Sequence, residues 1–195
     1  MTRPHFVFDF DDTLVNFTQG FCEFVQRDII GLAAPSNTDW MKQYGSKYDL
    51  MTPFRTYDVL DGVDGSDILR EFDNSGQMLT LGRTAIARIY ENAVKDKDTF
   101  VTILTARRWM RDPEGSTKSC LAHNNLPMPD HIEVVGGDAN KSHYVAGLKG
   151  EVAGVIDDSP WQLTSLMQNN PKGAVIYTAN RPWNRHIVTH MRVDV

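Results

Sequence analysis

His5-Phe6-Val7-Phe8-Asp9-Phe10-Asp11-Asp12-Thr13-Leu14 is an apolar run that stops abruptly in three carboxylates and a threonine. Phe6 to Phe8 is short and bounded by polar residues, which suits a buried parallel strand better than a helix. Asp9 and Asp11 then fall at its carboxyl end. In an open α/β sheet, ligands bind in the crevice outside the carboxyl ends of the strands, so these acids project into a candidate site. Three acids within four residues repel one another unless something positive sits among them. A hard divalent cation with oxygen ligands is the simplest neutraliser, and Mg²⁺ suits a few carboxylates beside a phosphate. The competing reading is an acidic corner whose Asp and Thr side chains cap the following turn.

Four more segments read as short strands: Phe100 to Thr105, Ile132 to Val135, Val152 to Asp157 and Ala174 to Thr178. Between them lie helical patterns. Leu81, Ala85, Ile86, Ile89, Tyr90 and Ala93 fall at helical spacing before the second strand. Ser159 and Pro160 read as N-cap and first residue of another helix, with Leu163, Leu166 and Met167 facing inward. Two further helices are expected over Ser116 to Asn124 and Lys141 to Leu148. Strands alternating with helices imply a parallel sheet with right-handed crossovers. The expected fold class is therefore α/β, a Rossmann-like, parallel five-stranded sheet with helices on both faces.

The stretch from Val15 to Met78 is far too long for an ordinary βα connection. It reads as an insertion with helices of its own: one carrying Phe17, Phe21, Phe24 and Val25, one carrying Trp40, Met41 and Tyr44, and one carrying Ile68, Leu69 and Phe72. The expected organisation is a core of residues 1–15 and 79–195, with a small helical cap at 16–78 inserted after the first strand.

Composition bounds the rest. A chain of 195 residues can bury roughly 70% of its unfolded surface, enough for one substantial core. Hydrophobic content of 41% and charged content of 23% are ordinary for a globular protein. A net charge of −5 gives no general attraction to nucleic acid or anionic membrane. Apolar runs are far shorter than the ~20 residues of a membrane helix, and no signal peptide is expected ahead of the first strand. Cys22 and Cys120 have no metal-binding spacing and read as reduced, packed thiols of a cytoplasmic protein.

If Asp9 begins a phosphate site, other strand ends must supply the remaining parts. Thr105 ends the second strand with a hydroxyl that can donate to a phosphate oxygen, or that simply caps a turn. Lys141 opens a helix, where an ammonium and free amides favour an anion; taken singly, a lysine is more often a solvated surface residue. Asp157 and Asp158 end the fourth strand, a costly place for two acids unless they bind a cation or cap the next helix. Each piece has a bland explanation, but their joint occurrence at the ends of four successive elements has none.

In this order, Asp9-x-Asp11-x-Thr13, Thr105, Lys141 and Asp157-Asp158 resemble the four motifs of the haloacid dehalogenase superfamily. The resemblance covers the whole core, and the insertion resembles that superfamily's cap at its first insertion point. An acid at the position of Asp11 resembles the phosphatases and phosphomutases rather than the dehalogenases or transport ATPases. The resemblance implies Asp9 as nucleophile, Asp11 as general acid and base, and Thr105 and Lys141 as stabilisers of phosphoryl oxygens. It implies Mg²⁺ held by Asp9, the Asp11 carbonyl and Asp157, with Asp158 assisting through water or as a further ligand. Asp12 is left to shape the turn.

The resemblance implies a small phosphate ester as substrate. The Asp-x-Asp beginning, the cap position and the tail Asn180-Arg181-Pro182-Trp183-Asn184-Arg185 are similar to the 5′(3′)-deoxyribonucleotidase group, which implies a nucleoside monophosphate. Phe17, Phe21, Trp40 and Tyr44 are the aromatics that could face it, although at least half of the cap's aromatics should form its core. Ala106 and Arg107 stand where that group's vertebrate enzymes carry other residues after the threonine. Arg107, Arg108 and Arg111 could instead hold further phosphates, as in a polynucleotide 3′-phosphatase, or lie in a solvated loop that balances Asp112 and Glu114. A catalytically silent nucleotide-binding module is the non-enzymatic alternative.

Overall fold

A computed structural model of the chain describes residues 3–31, 63–81, 85–136, 141–170 and 172–194. The expected helix around Trp40 and Tyr44 lies outside them. Six strands, β1 (His5–Phe8), β2 (Phe100–Thr105), β3 (His131–Val134), β4 (Val152–Asp157), β5 (Val175–Asn180) and β6 (Met191–Asp194), form one sheet. All are paired in parallel, in the order β3-β2-β1-β4-β5-β6. The order reverses between β1 and β4, so a crevice opens at the carboxyl ends of those two strands.

The sheet has one strand more than the five expected. β6 was hidden because Met-Arg-Val-Asp is no apolar run. As an edge strand beyond β5, it needs no residues suited to burial on both faces. In the inner strands, alternation sends Phe8, Val101, Ile103 and Ile156 into an apolar cluster on one face. Val7, Leu104 and Val155 enter a second cluster on the other. Gly154 sits on β4 where an added Cβ would lie 2.8 Å from the Phe6 ring and 3.0 Å from that of Tyr177. The close approach of these two rings requires a glycine there.

The helices are α1 (Phe17–Phe24), α2 (Gly65–Asn74), α3 (Ala85–Lys95), α4 (Pro113–His123), α5 (Lys141–Gly147) and α6 (Pro160–Asn169). A π-helical turn, Val25–Ile30, continues α1 and ends at Gly31, whose φ is 74°. Two helix starts differ from expectation. α4 begins at Pro113 because the Asp112 carboxylate accepts the Gly115 N–H at 3.0 Å, a cap followed by proline at the first helical position. Leu81 does not belong to α3 but forms an antiparallel bridge to Val15. The Asn16 N–H also donates to the Thr80 carbonyl at 3.0 Å, so the two ends of the long segment after β1 are hydrogen-bonded side by side. Its described helices, α1 and α2, bury Phe17, Phe21, Phe24, Ile68 and Phe72 in the same cluster as Phe8 and Ile103.

Candidate active site

Asp9 leaves β1 with its N–H still bonded to the Ile156 carbonyl of β4 at 2.8 Å, which fixes its carboxylate over the crevice. One carboxylate oxygen accepts the Lys141 ammonium at 2.6 Å, the other the Thr13 hydroxyl at 3.1 Å. Lys141 is 4% exposed and also reaches Asp157 at 2.8 Å, so a single cation bridges the ends of β1 and β4. Its main-chain N–H donates to Gln162 on α6, which anchors the start of α5. The other Asp157 oxygen accepts the Ser159 N–H at 2.8 Å. Asp158 is 1% exposed. It accepts the Trp183 indole N–H at 2.9 Å, while its other oxygen lies 3.4 Å from the Thr13 hydroxyl.

A second group lies beside the first. Asp11 turns toward Arg107, whose Nε donates to its carboxylate at 2.8 Å while Nη2 donates to the same group. The Thr105 hydroxyl stands 3.5 Å from Asp11, at the limit of a hydrogen bond. Arg107 is 2% exposed and its guanidinium stacks 4.5 Å from the centre of the Phe10 ring. The arginine cluster is therefore split, with Arg107 inward and Arg108 outward, and the solvated-loop reading fails for Arg107.

The sequence-derived substrate residues separate. Phe17 and Arg107 line a cavity of about 370 Å³, together with Phe72, Leu79, Met110 and Ser116. Ala106, between Thr105 and Arg107, is half-buried. Phe21 does not face an opening: it is fully buried against Phe17 and Phe72, because helical spacing places Phe17, Phe21 and Phe24 on the face of α1 turned to α2. Trp40 and Tyr44 lie outside the described residues.

Sequence reasoning singled out the tail after β5 as a likeness in sequence but missed its contacts with the acidic loops. Arg181 donates from Nε to the Asp12 carbonyl at 2.7 Å and from Nη2 to Asn16, while Asn184 donates to the Asp158 carbonyl at 2.8 Å. The available signal was position: these donor-rich residues follow a strand at the same edge as the acids. Asp12 does more than shape the turn. It adopts a left-handed φ of 57°, tolerable for aspartate, and its carboxylate accepts the Thr18 N–H at the start of α1.

Burial dominates the electrostatics. It raises the Asp9 carboxyl above the ordinary range despite Lys141, with the Asp157 charge adding to the rise. Asp158 is pushed well up by burial and by Asp9, Asp12 and Asp157. Asp12 rises to about 6, again through burial, with Arg181 and Thr18 opposing. Burial disfavours the Lys141 ammonium, but Asp157 and Asp9 outweigh it and hold its pKa above normal.

No protein-family model matches the chain, and no curated protein matches it in sequence. Solved structures do match. A haloacid dehalogenase-like family hydrolase from Streptococcus pneumoniae superposes with a TM-score of 0.62 at 15% identity, covering 98% of this chain and 94% of that one. YfnB of Bacillus subtilis, solved bound to magnesium, gives 0.58 at 15% identity, over 98% and 94%. CbbY of Rhodobacter sphaeroides, in complex with xylulose-(1,5)bisphosphate, gives 0.54 at 16% identity, over 96% and 90%.

The fold is that of the haloacid dehalogenase-like hydrolases.

On this haloacid dehalogenase-like sheet, ligand atoms of the buried Asp9, Asp157 and Asp158 lie within 4.8 Å of one another. Lys141 pairs with two of these acids, Asp9 and Asp157, and burial, with the charges of neighbouring acids, raises the Asp9 and Asp158 carboxyls. An all-oxygen, carboxylate-rich donor set of this kind fits a hard divalent cation such as Mg²⁺.

Proposed function

We propose that the chain is a Mg²⁺-dependent phosphomonoester hydrolase that works through an aspartyl phosphate on Asp9. The observation that carries the reading is the convergence of Asp9, Lys141, Asp157 and Asp158, from the starts or ends of three elements, into one buried cluster. A bound divalent cation, held by Asp9, Asp157, Asp158 and the Asp11 main-chain carbonyl, would supply the charge that lets an anionic nucleophile approach an anionic phosphate.

The chain's own residues account for the rest. An Asp9 oxygen attacks phosphorus; the O–P bond to Asp9 forms as the bond to the ester oxygen breaks. Asp11 protonates the departing oxygen, then takes a proton from the water that hydrolyses the aspartyl phosphate. The Arg107 fork must release Asp11 before this carboxyl can reach the ester oxygen. Lys141 and Thr105 stabilise the phosphoryl oxygens. Residues 16–78 act as the cap that selects the substrate.

The substrate we propose is a nucleoside monophosphate, on the strength of the Asp9-to-Leu14 motif and the tail from Asn180 to Arg185. Phe17 and Arg107 line the cavity described above, and Arg107 joins it to Asp11; these two residues would meet the leaving group. The inward turn of Arg107 takes support from the polynucleotide 3′-phosphatase reading, which needs a free cluster of arginines. The test is a phosphate-release screen with Mg²⁺ over nucleoside 5′- and 3′-monophosphates, sugar phosphates and 3′-phosphorylated oligonucleotides. Turnover highest on mononucleotides and lost on chelation is expected, with Asp9→Asn slower by more than ~10³-fold in kcat. A folded Asp9→Asn protein with wild-type turnover would overturn the mechanism; no preference for nucleotides would overturn the substrate alone.

A further inference from the structure

Asp158 is an acid held among acids. It is 1% exposed, and its ligand atom lies within 4.8 Å of those of Asp9 and Asp157. A carboxylate so placed would turn away from its neighbours unless something kept it in. Two side chains from the tail after β5 do so. The Trp183 indole N–H donates to Oδ2 at 2.9 Å, and the Asn184 amide donates to the main-chain carbonyl at 2.8 Å. Oδ1 is then the oxygen on the Thr13 side, 3.4 Å from a hydroxyl that also lies 3.1 Å from Asp9. An indole N–H can only donate, so it takes Oδ2 and leaves Oδ1 turned toward Thr13 and Asp9.

The tail is itself firmly seated. Pro182–Asn184 is a single 3₁₀ turn directly after β5. Asn184 accepts the Arg181 N–H at 3.1 Å and donates to the Ala179 carbonyl at 2.8 Å. Trp183 is 3% exposed, with the Arg181 guanidinium 6.0 Å from its ring centre. The same Arg181 bonds the Asp12 carbonyl, so one short segment ties the ends of β4 and β5 to the loop after β1.

We infer that Trp183 and Asn184 are positioning residues for a divalent cation: together they aim the Asp158 carboxylate at the space shared with Asp9 and Asp157. The inference rests on the metal reading proposed above. Hydrogen bonds that orient a ligating carboxylate typically change metal affinity 10- to 100-fold when removed. Trp183→Phe deletes the N–H and keeps an aromatic ring in the buried seat. Asn184→Ala releases the Asp158 main chain without touching the indole, and so reads the same role if Trp183→Phe fails to fold.

The experiment is calorimetric titration of the full-length chain with Mg²⁺ alone, without substrate, alongside melting temperatures with and without the metal. Trp183→Phe and Asn184→Ala should each raise the Mg²⁺ Kd by at least about 10-fold and shrink the Mg²⁺-induced rise in melting temperature. Trp161→Phe, which alters an exposed indole on α6, should leave both unchanged. In an Asp158→Asn background, Trp183→Phe should lose most of its effect on Kd, because its partner carboxylate is gone. A lower metal-free melting temperature with wild-type Kd would mean packing alone and overturn the inference. So would an undiminished effect in the Asp158→Asn background. Failure of the wild-type chain to bind Mg²⁺ would overturn the metal reading itself, whereas equal binding by wild type and both variants would overturn only the role of the tail.

Discussion

Asp12→Asn is expected to stabilise the metal-free protein at neutral pH, although it removes a buried charge that caps a helix. The Asp12 carboxyl titrates at about 6 in the folded chain, against an ordinary 3.8, because burial outweighs the help of Arg181 and Thr18. Between those values the folded state binds more protons than the unfolded one, so stability falls as pH rises through the window. It is fully present below 3.8 and gone above about 6. At roughly 1.4 kcal/mol per pH unit, holding Asp12 ionised at neutral pH costs about 3 kcal/mol. Asparagine is the neutral isostere: it tolerates the left-handed φ, its oxygen can accept the Thr18 N–H, and its amide can donate to the Thr18 hydroxyl. Urea unfolding in EDTA, from about pH 4 to about pH 7.5, measures the difference. Asp12→Asn should gain about 3 kcal/mol at the upper end, and the gap should close toward the lower. A variant less stable than wild type at neutral pH, or a gap that does not change with pH, would refute the reasoning.

Other perturbations probe the neighbouring contacts. Lys141→Met leaves Asp9 and Asp157 buried without their shared cation and should cost about 3–5 kcal/mol at neutral pH. That penalty should shrink as acid protonates Asp9; the same urea series would expose a constant penalty as contrary. Arg107→Gln breaks the fork on Asp11 and should cost about 2 kcal/mol of stability; because it also removes the guanidinium proposed to meet the leaving group, it should cost about 10²-fold in kcat/KM. Arg107→Lys should restore little, since an ammonium cannot reproduce the two-pronged contact, and full rescue of turnover would contradict this. Phe21→Ala should destabilise by about 3–5 kcal/mol yet leave the KM of any substrate unchanged, and a raised KM in the folded variant would return Phe21 to the substrate side.

The strand ends were legible because each is an apolar run cut off by a hydrogen-bonding or charged residue, and parallel order turns such cut-offs into one crevice. Asp9, Asp157 and Asp158 could therefore be brought together from sequence, and Lys141 joined them through its place at a helix start and the resemblance of the motif order. The directions of side chains could not. Nothing in Thr-Ala-Arg-Arg says that Arg107 turns inward to Asp11 while Arg108 faces water; this depends on Phe10 lying beneath the guanidinium. Phe21 could be placed on a helix, but not on the side of that helix that meets Phe72, because the partner lies some fifty residues along the chain. β6 and the Trp183 contact escaped for another reason: both belong to the end of the sheet, where polar residues at an edge look like any loop.

The bridge between Val15 and Leu81, with the Asn16 to Thr80 hydrogen bond beside it, makes the long segment after β1 a side branch pinched at its base. The distance between its two roots is set by the pinch and not by what lies beyond. Because closing a longer loop costs only about 0.6 kcal/mol for each doubling of length, the chain between α1 and α2 can change in length while these two helices stay packed in the core cluster and Asp9 keeps its place over β4. On the function proposed above, a descendant of this chain could change its substrate in that stretch while Asp9 keeps its place.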